Sequence, residues 1–416
     1  MSDRTKKILL IVGFILAIIL LGLGIYYLLF RPLIVPAPTP PVVTPVPIIN
    51  ALPAVPIAPI INVPPTITLP TEIPQLPTIP TAPLIPGPII SDVGTGGITA
   101  YNSLVTDSTL DPTLASNGRD LLYYDKTTGF FYNISPDGQK TLYSDIAFKN
   151  VNNVIWSNNT QKAVLEYEDG SKSLYDFSAK KSVTLPSHWK DFSFSDNDGQ
   201  IAFKDMRVDP ENRYISIADT NGGNFRQIEP LGTKDADVYI TWSPNNQYIA
   251  LYRESIDGSR AEVYPIGFNG ENYKNFRVEG RDLRFEWSPS GNKIVYSVFN
   301  SRSNYNPSLW VANSDPDLLG TGRTSLNVQT WADKCTFANE AEIYCAVPKT
   351  LETGTGFRPD LASNTPDEIY KINIQTGAQE LVAQPLFPST VNKLIISEDH
   401  KYLYWWEGTS NQIKQI

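Results

Sequence analysis

Three hydropathy regimes follow one another along the 416 residues. Ile8 to Phe30 form an unbroken run of uncharged, mostly aliphatic side chains. Residues 31–91 stay apolar but carry a proline about every third position. From residue 92 onward, short runs alternate apolar and polar positions with a period of two. Gly, Asn, Asp and Pro separate these runs, which is the pattern of half-buried β-strands joined by tight turns. No stretch with helical periodicity is evident outside the first run.

The strand region repeats a phrase. An alternating run ends in an aromatic residue and Ser, a short polar turn follows, and a second apolar run begins. Trp242–Ser243–Pro244–Asn245–Asn246 leads into Tyr248–Tyr252, and Trp287–Ser288–Pro289–Ser290–Gly291 leads into Lys293–Tyr296. Trp156–Ser157–Asn158 and Phe194–Ser195–Asp196 open similar units, and weaker copies start near Ser116, Phe337 and Ile396. The seven copies recur about every 47 residues, the period of four-stranded propeller blades. The fold class expected is all-β: a seven-bladed β-propeller over 92–416, with six or eight blades the neighbouring counts. The recurring aromatics are read as packing between blades. The last unit offers only three strands, Lys393–Ser397, Tyr402–Glu407 and Gln412–Ile416. The leftover segment Gly97–Val105 is therefore expected to supply its fourth strand and close the ring.

The phrase Trp-Ser-Pro followed by Ile-Ala or Ile-Val resembles the repeat of TolB-type propellers, which is similar to that of dipeptidyl peptidase IV and prolyl oligopeptidase relatives. The resemblance covers residues 110–416 and is clearest in the fourth and fifth units. It implies a propeller, often with an extracytoplasmic protein-binding role. An anchor and linker stand here where TolB-type proteins carry a further domain. The hydrolase domain of the peptidase relatives has no counterpart, and no Gly-x-Ser-x-Gly elbow is present.

Composition divides along the same boundaries. Of 34 prolines, nineteen lie between Pro32 and Pro88. Residues 1–91 hold four basic and two acidic side chains; taking these from totals of 34 and 43 leaves 30 basic and 41 acidic, a net of −11 for 92–416. An acidic domain lacks the basic footprint of a nucleic-acid binder. His188 and His400 are the only histidines, so no His-rich metal centre is available and no metal or other cofactor is expected.

A helix over residues 8–30 would span roughly 35 Å, enough to cross a bilayer. The stretch is longer than a signal-peptide core and ends without a small-residue cleavage site. Arg4, Lys6 and Lys7 precede it and Arg31 follows. The expected order is a cytoplasmic amino terminus (1–7), a transmembrane helix (8–30), a proline-rich stalk (31–91) and an extracytoplasmic propeller (92–416). Proline every third residue favours polyproline II at about 3.1 Å per residue, a spacer.

Candidate chemistry is sparse. Cys335 and Cys345 fall opposite each other across the first hairpin of the sixth unit, where a disulfide is geometrically allowed and an exported location permits one. Asp196, Asp198 and Gly199 lack the full spacing of a calcium loop and are read as a turn. Second-to-third-strand loops open on one face of a propeller. They lengthen at Met206–Arg213, Glu254–Arg260, Asn300–Pro307 and Pro348–Pro366, the last two on adjacent blades. Arg302, Tyr305, Phe357 and Arg358 on those two loops are the candidate binding residues, being of the types that dominate interfaces. The function expected is a membrane-anchored binding module for a protein or cell-envelope polymer. The alternatives are an envelope-polysaccharide hydrolase or lyase using carboxylates in the central funnel, and a purely structural spacer.

Overall fold

The computed structural model describes Gly94, Gly96–Glu271 and Tyr273–Ile416. The segments read as amino terminus, membrane helix and stalk, residues 1–7, 8–30 and 31–91, lie outside the described residues. Among the described residues no helix is long and apolar enough to cross a membrane.

The alternating runs pair into seven sheets, one per repeat; within each repeat the strands pair antiparallel in chain order, from first to fourth in blades one to six. The first strands are Thr109–Leu114, Val151–Trp156, Trp189–Phe194, Val238–Ile240, Arg281–Trp287, Cys335–Phe337 and Val391–Ile396. First strands of neighbouring blades touch at most junctions, and the short 3₁₀ turn Ala332–Lys334 touches the first strands of both blade five and blade seven. This places the first strands innermost, around the ring axis.

Each sheet is too thin to bury a core by itself, and burial is achieved between sheets. Seven separate apolar layers fill the seven blade junctions. Val164, Leu174 and Phe194 pack between blades two and three, and Leu251, Val263 and Tyr296 between blades four and five. Ile134, Tyr123, Ile395 and Tyr404 fill the junction between blades one and seven. The recurring aromatics lie in these layers, as Trp242 does between blades three and four.

The repeated Ser has a specific task. In blades two, three, four, five and seven its hydroxyl accepts the amide five residues on: Lys162 and Gln200 at 3.0 Å, Tyr248 at 2.9 Å, Lys293 at 3.1 Å and Tyr402 at 3.0 Å. Each of these serines is at most 3% exposed. The fourth residue of the turn takes a left-handed backbone: Thr160, Asp198, Asn246, Gly291 and His400 have φ between 55° and 71°. That conformation favours Gly, Asn and Asp, which explains the polar turn composition. In blades one and six the Ser place is held by Ala115 and Ala338, so the weak first copy is offset by one from Ser116; Asn117 and Asn339 take over, each accepting two turn amides.

These turns also hook to one another around one face of the ring. Asp198 accepts the amides of Asn158 and Asn159 at 2.8 Å, Asn245 donates to the Gly291 carbonyl at 3.1 Å, and Ser290 is held by Glu340. The His400 ring meets the Ala338 carbonyl at 3.0 Å, and the Glu398 amide donates to Gly118 at 2.8 Å. The segment Asp196–Gly199 is a turn, as read from the sequence, and its Asp198 carboxylate also clasps the neighbouring blade.

The leftover amino-proximal segment behaves differently from a single closing strand. Asn102–Val105 pairs antiparallel with Gln412–Gln415 and completes blade seven. Gly97–Thr99 instead adds to blade six as a fifth strand, parallel to Gln379–Pro385. Ala100 and Tyr101 separate the two short strands, so the segment bridges two outer edges instead of covering one.

Candidate functional site

Cavities on the axial side of blades five, six and seven share walls and form one groove. Their volumes are about 420, 500 and 470 Å³. Asp333, Asn392 and Trp406 line both the first and second, and Phe337, Lys393 and Leu394 both the second and third. The first carries Pro359, Ala362 and Ser363 of the long blade-six loop; the third carries Ser397 and His400 of a first-to-second-strand turn. The groove therefore runs from the loop face toward the turn face. A smaller cavity of about 300 Å³ lies at blades three and four, where Lys234 sits 4.5 Å over the Tyr252 ring.

The groove's charges come mainly from innermost strands. Strand alternation sends Phe285 and Trp287 into the layer between blades four and five, while Glu286 between them lines the groove with partial exposure. Removal from water pushes its carboxyl up to about 7, with Lys393 opposing and Asp333 reinforcing the rise. Among the described residues no hydrogen-bond or ion-pair partner faces the Glu286 carboxylate, although its backbone pairs with Val295 in the sheet. Asp111 stands across the axis on blade one at a bulge, φ 45°. Burial raises its carboxyl too, opposed by the Val154 amide, which donates to it at 2.7 Å, and by Lys393. Lys393 donates to the Pro112 carbonyl at 3.1 Å.

Toward the loop face the charges are closed into pairs. Arg284 binds Asp282 at 3.2 Å and Asp333 at 2.9 Å. Lys334 donates to both oxygens of fully buried Asp367 at 2.7 and 2.8 Å. Both cations stand within 6 Å of the Trp331 ring. Among the described residues no group of three or more His, Cys, Asp or Glu is placed to hold a metal ion.

The four loop residues singled out by sequence divide into two kinds. Tyr305 and Phe357, from adjacent blades, stand with ring centroids 5.2 Å apart, and Phe357 also meets Phe299 at 4.5 Å. The loops are tied by backbone bonds from Gly356 to Tyr305 (2.8 Å) and Gly354 to Asn304 (2.9 Å). Position 356 has room only for glycine, because a Cβ would fall 2.4 Å from the Phe299 ring. Tyr305 and Phe357 remain 39% and 53% exposed. Arg302 is exposed in a 3₁₀ turn capped by Asn300, and Arg358 is spent on Asp360 at 2.7 Å in its own loop.

The loop expected over Glu254–Arg260 is mostly strand. Tyr248–Asp257 and Arg260–Gly267 extend as a projecting hairpin. Gly258 and Ser259 are its turn, and Arg260 locks it by two bonds to Asp257 at 2.8 and 2.6 Å. Cys335 and Cys345 are directly opposed in register and form a disulfide within the core between blades five and six. His188 contacts Asp205 at 3.1 Å.

Sequence reasoning passed over Glu286, Asp333, Trp331 and Trp406. The available signal was slight: an acid flanked by two aromatics inside a strand, at a position alternation sends away from the core.

No family model matches the chain, and no curated protein matches it. Similar solved structures include an oligogalacturonate lyase in complex with manganese, at 12% identity and TM-score 0.48, covering 76% of this chain and 89% of that one. The tricorn protease is similar at 12% identity and TM-score 0.49, covering 76% of this chain and 33% of that one. An oligogalacturonate lyase from Vibrio parahaemolyticus is similar at 9% identity and TM-score 0.49, covering 75% of this chain and 89% of that one. At such identities nothing of those activities passes to this chain; the blade count rests on its own seven sheets.

Proposed function

We propose that the ring is a binding module, held by a membrane anchor at residues 8–30 and a proline-rich stalk at 31–91, with the amino end cytoplasmic and the ring extracytoplasmic. It captures a protein or cell-envelope polymer on the face that carries the loops of blades five and six. The observation that supports this most is the Tyr305–Phe357 pair: two aromatic rings in contact, each partly exposed, on loops tied together by backbone hydrogen bonds. Exposed aromatic area on a rigid support is what an interface anchor requires, because little conformational freedom is lost on docking. Leu361 on the same loop is also 39% exposed. The TolB-type repeat phrase supports an exported binding role, and the acidic ring argues for partners other than nucleic acid.

The test is cross-linking on intact cells, comparing the wild type with a Tyr305→Ser, Phe357→Ser double variant at equal surface level. At least a tenfold loss of the cross-linked partner is expected. Equal recovery would sink the reading.

A second reading is favoured by Glu286. A desolvated carboxyl titrating near neutrality in a groove is suited to general acid–base work on a polysaccharide. It needs no cofactor and predicts turnover of envelope glycans that Glu286→Gln abolishes. Absence of turnover by the wild type removes it.

A further inference from the structure

We propose that the Asp111–Pro112 peptide bond is an autocatalytic cleavage site: the Asp111 side chain attacks its own backbone carbonyl, and hydrolysis parts residues 1–111 from 112–416. The cleavage stands on the ring alone. Only its consequence, loss of the covalent tie to a membrane, rests on the anchored reading above.

The bond sits in a bulge on the innermost strand of blade one, where Asp111 and Pro112 together oppose Tyr123. Blades three and five carry the same bulge, with Asp191 and Asp282 at the first position. All three aspartates take the left-handed backbone, at φ 45°, 53° and 54°. Phe192 and Leu283 follow two of them; only in blade one does a proline follow. Proline pushes the residue before it toward extended backbone, so the shared geometry is strained at Asp111 in a way that it is not at Asp191 or Asp282. The chain has two other Asp–Pro bonds, Asp209–Pro210 and Asp315–Pro316. Asp209 is extended, with φ −79° and ψ 124°, and Asp315 is not left-handed.

The surroundings hold this bond from three sides. Trp156 Nε1 donates to the Asp111 carbonyl oxygen at 2.8 Å, where negative charge would develop on attack. Lys393 Nζ donates to the Pro112 carbonyl at 3.1 Å, and Pro112 is buried. The Val154 amide donates to Asp111 Oδ2 at 2.7 Å, while among the described residues no hydrogen bond reaches Oδ1. Burial favours the neutral carboxyl, with Glu166 in support and Lys393 and Lys126 opposed. The chemistry balances without a further reagent. One carboxyl oxygen bonds to the Asp111 backbone carbonyl carbon, closing a five-membered ring. The bond to Pro112 breaks, and the proline nitrogen keeps the electron pair and takes the carboxyl proton. Water then opens the cyclic anhydride, so the sum is hydrolysis of one peptide bond. After the cut, Gly97–Thr99 and Asn102–Val105 still pair with blades six and seven, so the two pieces stay together until those strands peel away.

The experiment incubates the full chain in detergent micelles at pH 5, where melting curves establish that the ring is folded, and follows fragments by mass spectrometry and amino-terminal sequencing. A new terminus at Pro112 is expected, formed at least about tenfold faster than termini at Pro210 and Pro316. In concentrated urea at the same pH the three bonds should cleave at rates within about threefold of one another. Asp111→Asn, which suits the left-handed backbone and keeps an acceptor for Val154, should abolish the Pro112 terminus, as should Pro112→Ala. Trp156→Phe should slow it at least about tenfold, the worth of a donor to the developing oxyanion. Melting curves identify any variant that does not fold, and the folded ones decide. The proposal is overturned by no cleavage at Pro112, by equal rates at the three bonds in the folded chain, by a preference for Pro112 that survives urea, or by unchanged cleavage in folded Asp111→Asn. Deletion of residues 8–30 separates the two readings. If the ring stays on the cell without them, the anchor falls, and cleavage at Pro112 in micelles stands.

Discussion

Replacing Glu286 with Gln should stabilise the protein, and only above acidic pH. The carboxyl is raised from 4.5 to about 7 because the groove removes it from water without offering a hydrogen bond. Between those two values the folded chain holds a proton that the unfolded chain has released. Stability therefore falls as pH rises through this window: the favourable state is fully present below about 4.5 and lost above about 7. A rise of that size corresponds to roughly 3 kcal/mol at about 1.36 kcal/mol per pH unit. Gln copies the protonated form in shape and neutrality. The variant should match the wild type at pH 4 and exceed it by up to about 3 kcal/mol at pH 8, or roughly 6 °C in melting temperature for a ring of this size. Differential scanning calorimetry of both proteins at pH 4, 6 and 8 measures this directly. An equal difference at all three values, or a less stable variant at pH 8, would refute the reasoning. Either would mean that water or Lys393 holds the carboxylate well enough to offset its desolvation.

Other perturbations test the ring itself. Removing residues 97–105 exposes the edges of blades six and seven and takes Val105, 4% exposed, out of the closing core; a loss of at least about 3 kcal/mol is expected, and an unchanged melting temperature would argue against closure by this segment. Ser243→Ala removes the acceptor of the Tyr248 and Gln247 amides, at 2.9 and 3.2 Å, and should cost about 1–3 kcal/mol by urea denaturation. Labelling thiols in the unfolded, unreduced protein should find none reactive, and reduction should release two. Opening the Cys335–Cys345 link, ten residues apart, should cost about 2–3 kcal/mol on the chain-entropy estimate.

The architecture was legible because it repeats. A period near 47 residues, an aromatic–Ser phrase and a left-handed turn position are local signals, and each blade restates them. The same holds for the Cys335–Cys345 pairing, which follows from counting across one hairpin, and for the proximity of the loops of blades five and six, which follows from adjacency in a ring. Where the phrase erodes, as at Ala115 and Ala338, the register became readable only once the turn hydrogen bonds were seen. The split of Gly97–Val105 between two blades was beyond local reasoning, because both partner edges are supplied by strands some 300 residues away.

The groove belongs wholly to the tertiary structure. Its walls come chiefly from innermost strands, turns and loops of blades five, six and seven, and no spacing in the chain ties Glu286 to Asp333 and Lys393. Desolvation, not residue type, moves the Glu286 carboxyl, and desolvation is a property of the closed ring. By itself the sequence determined the alternation, the turns and a blade count of about seven, because those depend on neighbours along the chain. Only closure of the ring decided which acids lose water, because that depends on neighbours across the axis.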